Sequence, residues 1–210
     1  MALRLQRIFL IILAICGWFA LIAQFYLILA NRVSSIPETI IRYFSFFTIL
    51  TNIIIALCCT FILVKPASGA GRFFSGTDTL TAIAVYITVV GIVYNIILRF
   101  LWKPEGLQLV VDELLHTVIP VLFIVMWFVI TSRQSLKWKN IFPWLLFPLL
   151  YIIYIMIRGA FSKFYPYPFI NVNELGYTKV FRNCVGLLTA FLFLSILFIA
   201  IGKSRIKKKS

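Results

Sequence analysis

Apolar residues run along this chain in six long blocks, 8–29, 40–64, 79–100, 114–130, 141–157 and 180–201, instead of alternating with polar ones. No block shows a period of two, which argues against a membrane β-barrel. A helix rises ~1.5 Å per residue, so ~20 apolar residues cross the ~30 Å hydrocarbon layer of a bilayer. Each block therefore predicts a spanning helix. Together they predict an all-α, polytopic integral membrane six-helix bundle, with 1–210 as a single membrane domain. The fifth block is short and holds Pro143 and Pro148. Pro143 falls in the first turn, where a missing N–H costs little. Pro120 and Pro148 predict kinks that neighbouring helices re-satisfy. Lys65, Pro66, Ser68, Gly69, Gly71, Ser75 and Gly76 predict a flexible linker. No internal repeat is visible, which lowers the prior for an inverted-repeat transporter.

Composition sharpens this picture. Hydrophobic residues make up 62% of the chain, against roughly 45–50% in a soluble domain, so the surface cannot be covered in water. The first block is about a full span and longer than the ~7–15 residues of a cleavable signal, so it reads as a retained helix. The formal charge of +14 raises nucleic acid as a partner. The basic residues, however, flank apolar runs and do not line one polar face, so they read as topology signals and headgroup contacts. No nucleic-acid partner is expected; membrane lipids are.

With the N-terminus inside, twelve basic residues fall on the inner side: Arg4, Arg7, Lys65, Arg72, Arg133, Lys137, Lys139 and the tail Lys203, Arg205, Lys207, Lys208 and Lys209. Eight fall outside, from Arg32 to Arg182. That bias predicts a multi-pass protein of the cell membrane with both termini cytoplasmic. The tail is a polybasic juxtamembrane run.

Polar residues inside the blocks recur at helical spacing and at one depth. Arg42, Ser45, Thr48 and Asn52 share a face of the second block, and Thr88, Asn95 and Arg99 a face of the third. Asp112, Glu113, His116 and Thr117 open the fourth, and Tyr151, Tyr154 and Arg158 line the outer end of the fifth. This convergence suggests one shared, outward-facing pocket. Each piece also has a plain structural reading. Ser and Thr bond to the carbonyl one turn back, Asn holds helices together, and Arg snorkels to headgroups.

The single histidine limits the chemistry. A membrane cytochrome commonly needs two axial His, and a zinc protease needs HExxH or similar. A GxSxG elbow is absent, and Cys16, Cys58, Cys59 and Cys184 have no redox or zinc spacing. No metal and no cofactor are expected. What remains is a hydroxyl nucleophile with one imidazole base. Asp112, four residues before His116, is placed to orient the ring and stabilise its protonated form.

The stretches Arg42-Tyr43-Phe44-Ser45-Phe46-Phe47-Thr48 with Thr51-Asn52, Leu115-His116-Thr117-Val118-Ile119-Pro120, and Tyr165-Pro166-Tyr167-Pro168-Phe169-Ile170 carry a resemblance. They resemble a prokaryotic six-span membrane family of unknown function, itself distantly similar to the eukaryotic androgen-induced and androgen-dependent membrane proteins. Those relatives hydrolyse fatty acid esters of hydroxy fatty acids with a threonine nucleophile and a histidine. The resemblance implies Ser45 at the nucleophile position, with Thr48 one turn deeper as the competitor, and His116 as the histidine. Here a serine replaces the threonine, and Pro120 follows the histidine one residue sooner.

The leading expectation is a lipid-ester hydrolase with Ser45 or Thr48 attacking, His116 as base and Asp112 steadying it. Arg42, Asn52, Asn95, Arg99, Tyr154, Arg158, Tyr165 and Tyr167 would bind a fatty-acid-ester ligand, with the Tyr-Pro loop as a lid. The runner-up is a non-enzymatic carrier that holds an amphipathic carboxylate on Arg99 and Arg158. A third reading is a scaffold subunit whose polar stripes only pack helices.

Overall fold

A computed structural model describes residues 2–130 and 136–204. Arg133 and the tail residues Arg205, Lys207, Lys208 and Lys209, used above for topology, lie outside the described residues. The elements are α1 (Ala2–Ala30), α2 (Ile36–Phe44), α3 (Phe47–Val64), α4 (Gly69–Ser75), α5 (Thr77–Val93), α6 (Gly106–Glu113), α7 (Ile119–Ile130), α8 (Ile141–Ser162) and α9 (Val172–Ser204). Two π-helical turns, Tyr94–Leu98 and Leu114–Val118, extend α5 and join α6 to α7. No strand occurs among the described residues. Six helices among them are long and apolar enough to cross a membrane, as a multi-pass membrane protein requires.

The limits of these helices depart from the apolar blocks where polar groups find partners. The second block breaks at Ser45 and Phe46, where Phe46 is extended (φ −84°, ψ 125°). Residues 40–44 therefore belong to α2, and only Phe47–Val64 is a continuous span. No Gly or Pro marks this break. It coincides with a tertiary anchor, because the Tyr43 hydroxyl donates to the Leu21 carbonyl at 2.8 Å and its ring packs edge-on against Phe25.

The fourth span starts at Gly106, eight residues before its apolar block. Asp112 and Glu113 interrupt the hydropathy but are paired inside the structure, so the helix runs through them. The fifth span extends to Ser162, where Lys163 closes it in the left-handed region (φ 59°). In α9 the backbone is non-helical at Gly176 (φ 73°).

The chain divides into two compact units, 1–135 and 136–210. In the first, α1 packs most extensively on α3, and α5 on α7. Gly17 lets α1 approach α3 closely, since a Cβ there would lie 3.2 Å from that of Ala56; small residues serve membrane helix pairs this way. Leu13, Ile55, Ile87, Phe123 and Trp127 fill the core, and the Trp127 indole donates to Thr81 Oγ1 at 2.9 Å. Large apolar side chains such as Ile15 and Ile22 stand exposed on the outer faces, which suits lipid and not water. In the second unit α8 packs on α9 around Ile155, Phe191 and Ile199. Lys203 lies over Trp138, so the end of α9 meets the segment leading into α8.

Candidate functional site

Four-residue spacing places Gln108, Asp112 and His116 in one row along α6 and the π turn after it. The His116 side chain is 13% exposed and that of Asp112 7%. Imidazole Nδ1 lies 2.9 Å from the Asp112 carbonyl and 3.4 Å from Asp112 Oδ1. The other carboxylate oxygen, Oδ2, accepts the Tyr94 hydroxyl at 2.5 Å. The Tyr94 ring stacks on the imidazole, with centroids 4.1 Å apart and planes 11° from parallel. Burial makes such groups costly unless they are paired. Here they pair with one another.

Both π turns contribute. Tyr94 opens one and His116 stands in the middle of the other. A π turn breaks the i→i−4 ladder and leaves carbonyls for side chains to use. The Asn95 amide donates to the Gly91 carbonyl at 2.9 Å and reaches the His116 carbonyl at 3.4 Å. The Asn52 amide likewise donates to Thr48 O at 2.8 Å and to Leu115 O at 3.2 Å. Gly91 permits the approach, since a Cβ there would meet Pro120 at 3.3 Å and the His116 carbonyl at 3.4 Å.

Arg99 closes the exposed side of this cluster. It donates to Asn95 Oδ1 at 2.6 Å, pairs with Glu113, and lies 5.9 Å over the Tyr94 ring. Asp112, His116, Asn95, Arg99 and Asn52 are thus brought into one connected cluster. The amide donors of Asn52 and Asn95 are already engaged, and an oxyanion or carboxylate would have to displace those bonds, whereas Arg99 uses only part of its five N–H donors on Asn95 and Glu113.

The hydroxyl candidates sit at the break before α3. Ser45 is fully buried, and its Oγ donates to the Ile41 carbonyl at 2.7 Å. Arg42 pairs with Glu38 at 2.8 Å on α2. Thr48 is buried and one turn from Asn52, so it shares the α3 face that reaches Leu115. Thr51 Oγ1 and Asn52 Oδ1 are buried with no hydrogen-bond partner among the described residues. Thr88 bonds back to Ala84 O at 2.6 Å, the plain structural role.

Tyr154, Arg158, Tyr165 and Tyr167 belong to the second unit. Tyr154 and Arg158 are one turn apart on α8, and the Arg158 guanidinium lies 5.1 Å from the Phe164 ring centroid. Tyr165 folds against Gly159, where an added Cβ would fall 2.1 Å from its ring. Burial, and then Tyr177, push the Tyr165 phenol above its usual range. Tyr167 stacks on Phe169 at 5.2 Å.

Sequence reasoning missed Tyr94, whose ring hides in an apolar run. It also missed the amide pair Gln108–Gln24 at 2.9 Å between α6 and α1. The signal for Tyr94 was its place beside Asn95 on a helix already carrying Arg99. Among the described residues no three His, Cys, Asp or Glu side chains gather closely enough to hold a metal ion. No protein-family model, curated protein or solved structure matches this chain.

Proposed function

We propose that the chain is a multi-pass protein of the cell membrane, both termini cytoplasmic, that hydrolyses lipid esters with His116 as general base. The observation that carries the reading is the geometry at Nδ1. Both of its neighbours, Asp112 O and Asp112 Oδ1, are acceptors, so the proton belongs on Nδ1 and Nε2 is the basic nitrogen. An acid that holds this tautomer and stabilises the imidazolium is the arrangement of a hydrolase triad.

In this mechanism a hydroxyl attacks the acyl carbonyl while Nε2 takes its proton. The tetrahedral adduct collapses to an acyl-enzyme, and the proton passes to the leaving alkoxide. Water then repeats the sequence and frees the acid. Ser45 is the attacking group by the family resemblance. Thr48 is favoured by the α3 face that it shares with Asn52, whose amide reaches Leu115 O next to His116. The resemblance supplies the substrate class, fatty acid esters of hydroxy fatty acids.

The test is hydrolysis of such an ester by the full chain in lipid nanodiscs. His116→Ala should abolish turnover while the protein stays folded. Of Ser45→Ala and Thr48→Ala, the one that also abolishes labelling by a fluorophosphonate probe marks the nucleophile. Full turnover by His116→Ala overturns the reading, and His116-independent binding of the ester without turnover would support a carrier.

A further inference from the structure

We propose that Tyr94 is a positioning residue for His116, one that holds the imidazole in the tautomer with its proton on Nδ1. Three contacts converge on it. Its hydroxyl donates to Asp112 Oδ2 at 2.5 Å, its ring covers one face of His116 at 4.1 Å, and Arg99 lies over the ring at 5.9 Å. Tyr94 is 3% exposed and Asp112 5%.

The physical need is rotational. A carboxylate turns readily about its terminal torsion, which is broad and nearly two-fold. With Oδ2 tied to Tyr94, the other oxygen stays 3.4 Å from Nδ1. The stacked ring blocks the imidazole from swinging away on that side. Asp112 O and Oδ1 then both face Nδ1 as acceptors, and the proton remains there.

A packing role alone would need the ring but not the hydroxyl. The short bond to Asp112 is therefore the distinguishing feature. The two π turns make it possible, since Tyr94 and His116 belong to π-helical segments on adjacent helices. Such turns often mark functional positions.

The catalytic meaning of this tautomer rests on the hydrolase reading; the tautomer itself does not. The chain has one histidine, so the full-length protein labelled with ¹⁵N-histidine in nanodiscs gives one pair of ring-nitrogen signals. The wild type should show a protonated Nδ1 and a bare Nε2. Tyr94→Phe keeps the ring and removes the hydroxyl, and should add a measurable Nε2-protonated population beside the Nδ1-protonated form that the Asp112 carbonyl still favours. Ester turnover should fall about tenfold in kcat with KM little changed, a part of the ~10²–10⁴-fold that proton transfer contributes. Tyr94→Leu, which does not require the aromatic stack to re-form, is the second variant and should give the same mixture.

A wild type protonated on Nε2, or either folded variant with an unchanged nitrogen pattern, overturns the inference. If His116→Ala keeps its turnover while the tautomer shifts, the hydrolase reading falls and the role of Tyr94 stands. If His116→Ala is inactive and the tautomer does not move, the reverse holds.

Discussion

Asp112 is the residue whose cost most needs explaining, because a carboxylate inside an apolar helix is expensive unless bonded. Its Oδ2 accepts the Tyr94 hydroxyl and its Oδ1 lies 3.4 Å from His116 Nδ1. Asp112→Ala should lower stability by about 1–3 kcal/mol, since it strands the buried Tyr94 hydroxyl; thermal unfolding in detergent would show it. Arg99 behaves differently. Its side chain is 42% exposed, so Arg99→Ala should cost under about 1 kcal/mol despite its bond to Glu113. A larger loss would mean that the Arg99–Tyr94 layer carries the cluster. The spacing of Asp112 and His116 was legible as i, i+4. The partner across the helix gap was not, because hydropathy treats Tyr94 as one more member of an apolar run.

At the scale of elements, glycines set how closely helices meet. An alanine at Gly91 would bring a Cβ to 3.3 Å from Pro120 and 3.4 Å from the His116 carbonyl. The neighbours must yield by a few tenths of an ångström, so Gly91→Ala should cost about 1 kcal/mol and loosen the Asn95 bonds. A neutral effect on both melting and turnover would show that α5 can retreat freely. Gly159→Ala is harsher. The Tyr165 ring has to leave its seat, at about 1–3 kcal/mol for overpacking.

Tyr165 also gives a pH signature. A phenol pushed up by burial binds its proton more tightly when folded, so its stabilisation is complete below the usual phenol range. That stabilisation is lost as pH rises from the usual range up through the raised value of the folded phenol. Gly159→Ala should flatten this alkaline loss, which unfolding followed across pH would reveal. The break at Ser45 and Phe46 was invisible in the apolar pattern, because residues on both sides of it are apolar. Its anchor, Tyr43 to Leu21, is a contact 22 residues apart.

At the scale of the molecule, six apolar helices and an excess of basic residues on one side argue for both ends in the cytoplasm. Green fluorescent protein fused to the C-terminus should fluoresce, and alkaline phosphatase fused there should be inactive. The opposite pair of results would reverse the topology and put the His116 cluster at the inner leaflet. The proposed chemistry at Nε2 would survive that reversal, but the source of its substrate would change.

The helical class and the count of six long apolar helices needed nothing beyond the chain itself, since an apolar run of set length can satisfy its backbone in lipid only as a helix. The one-turn spacing of Asp112 and His116 follows from helical periodicity alone. Tertiary structure decided where the helices break and widen, because those positions depend on bonds to residues far away in sequence: Tyr43 to Leu21, Asn52 to Leu115, Tyr94 to Asp112. Periodicity reports which way a side chain points along its own axis. Only packing determines what stands opposite it, and at this site that is the ring and hydroxyl of a single tyrosine.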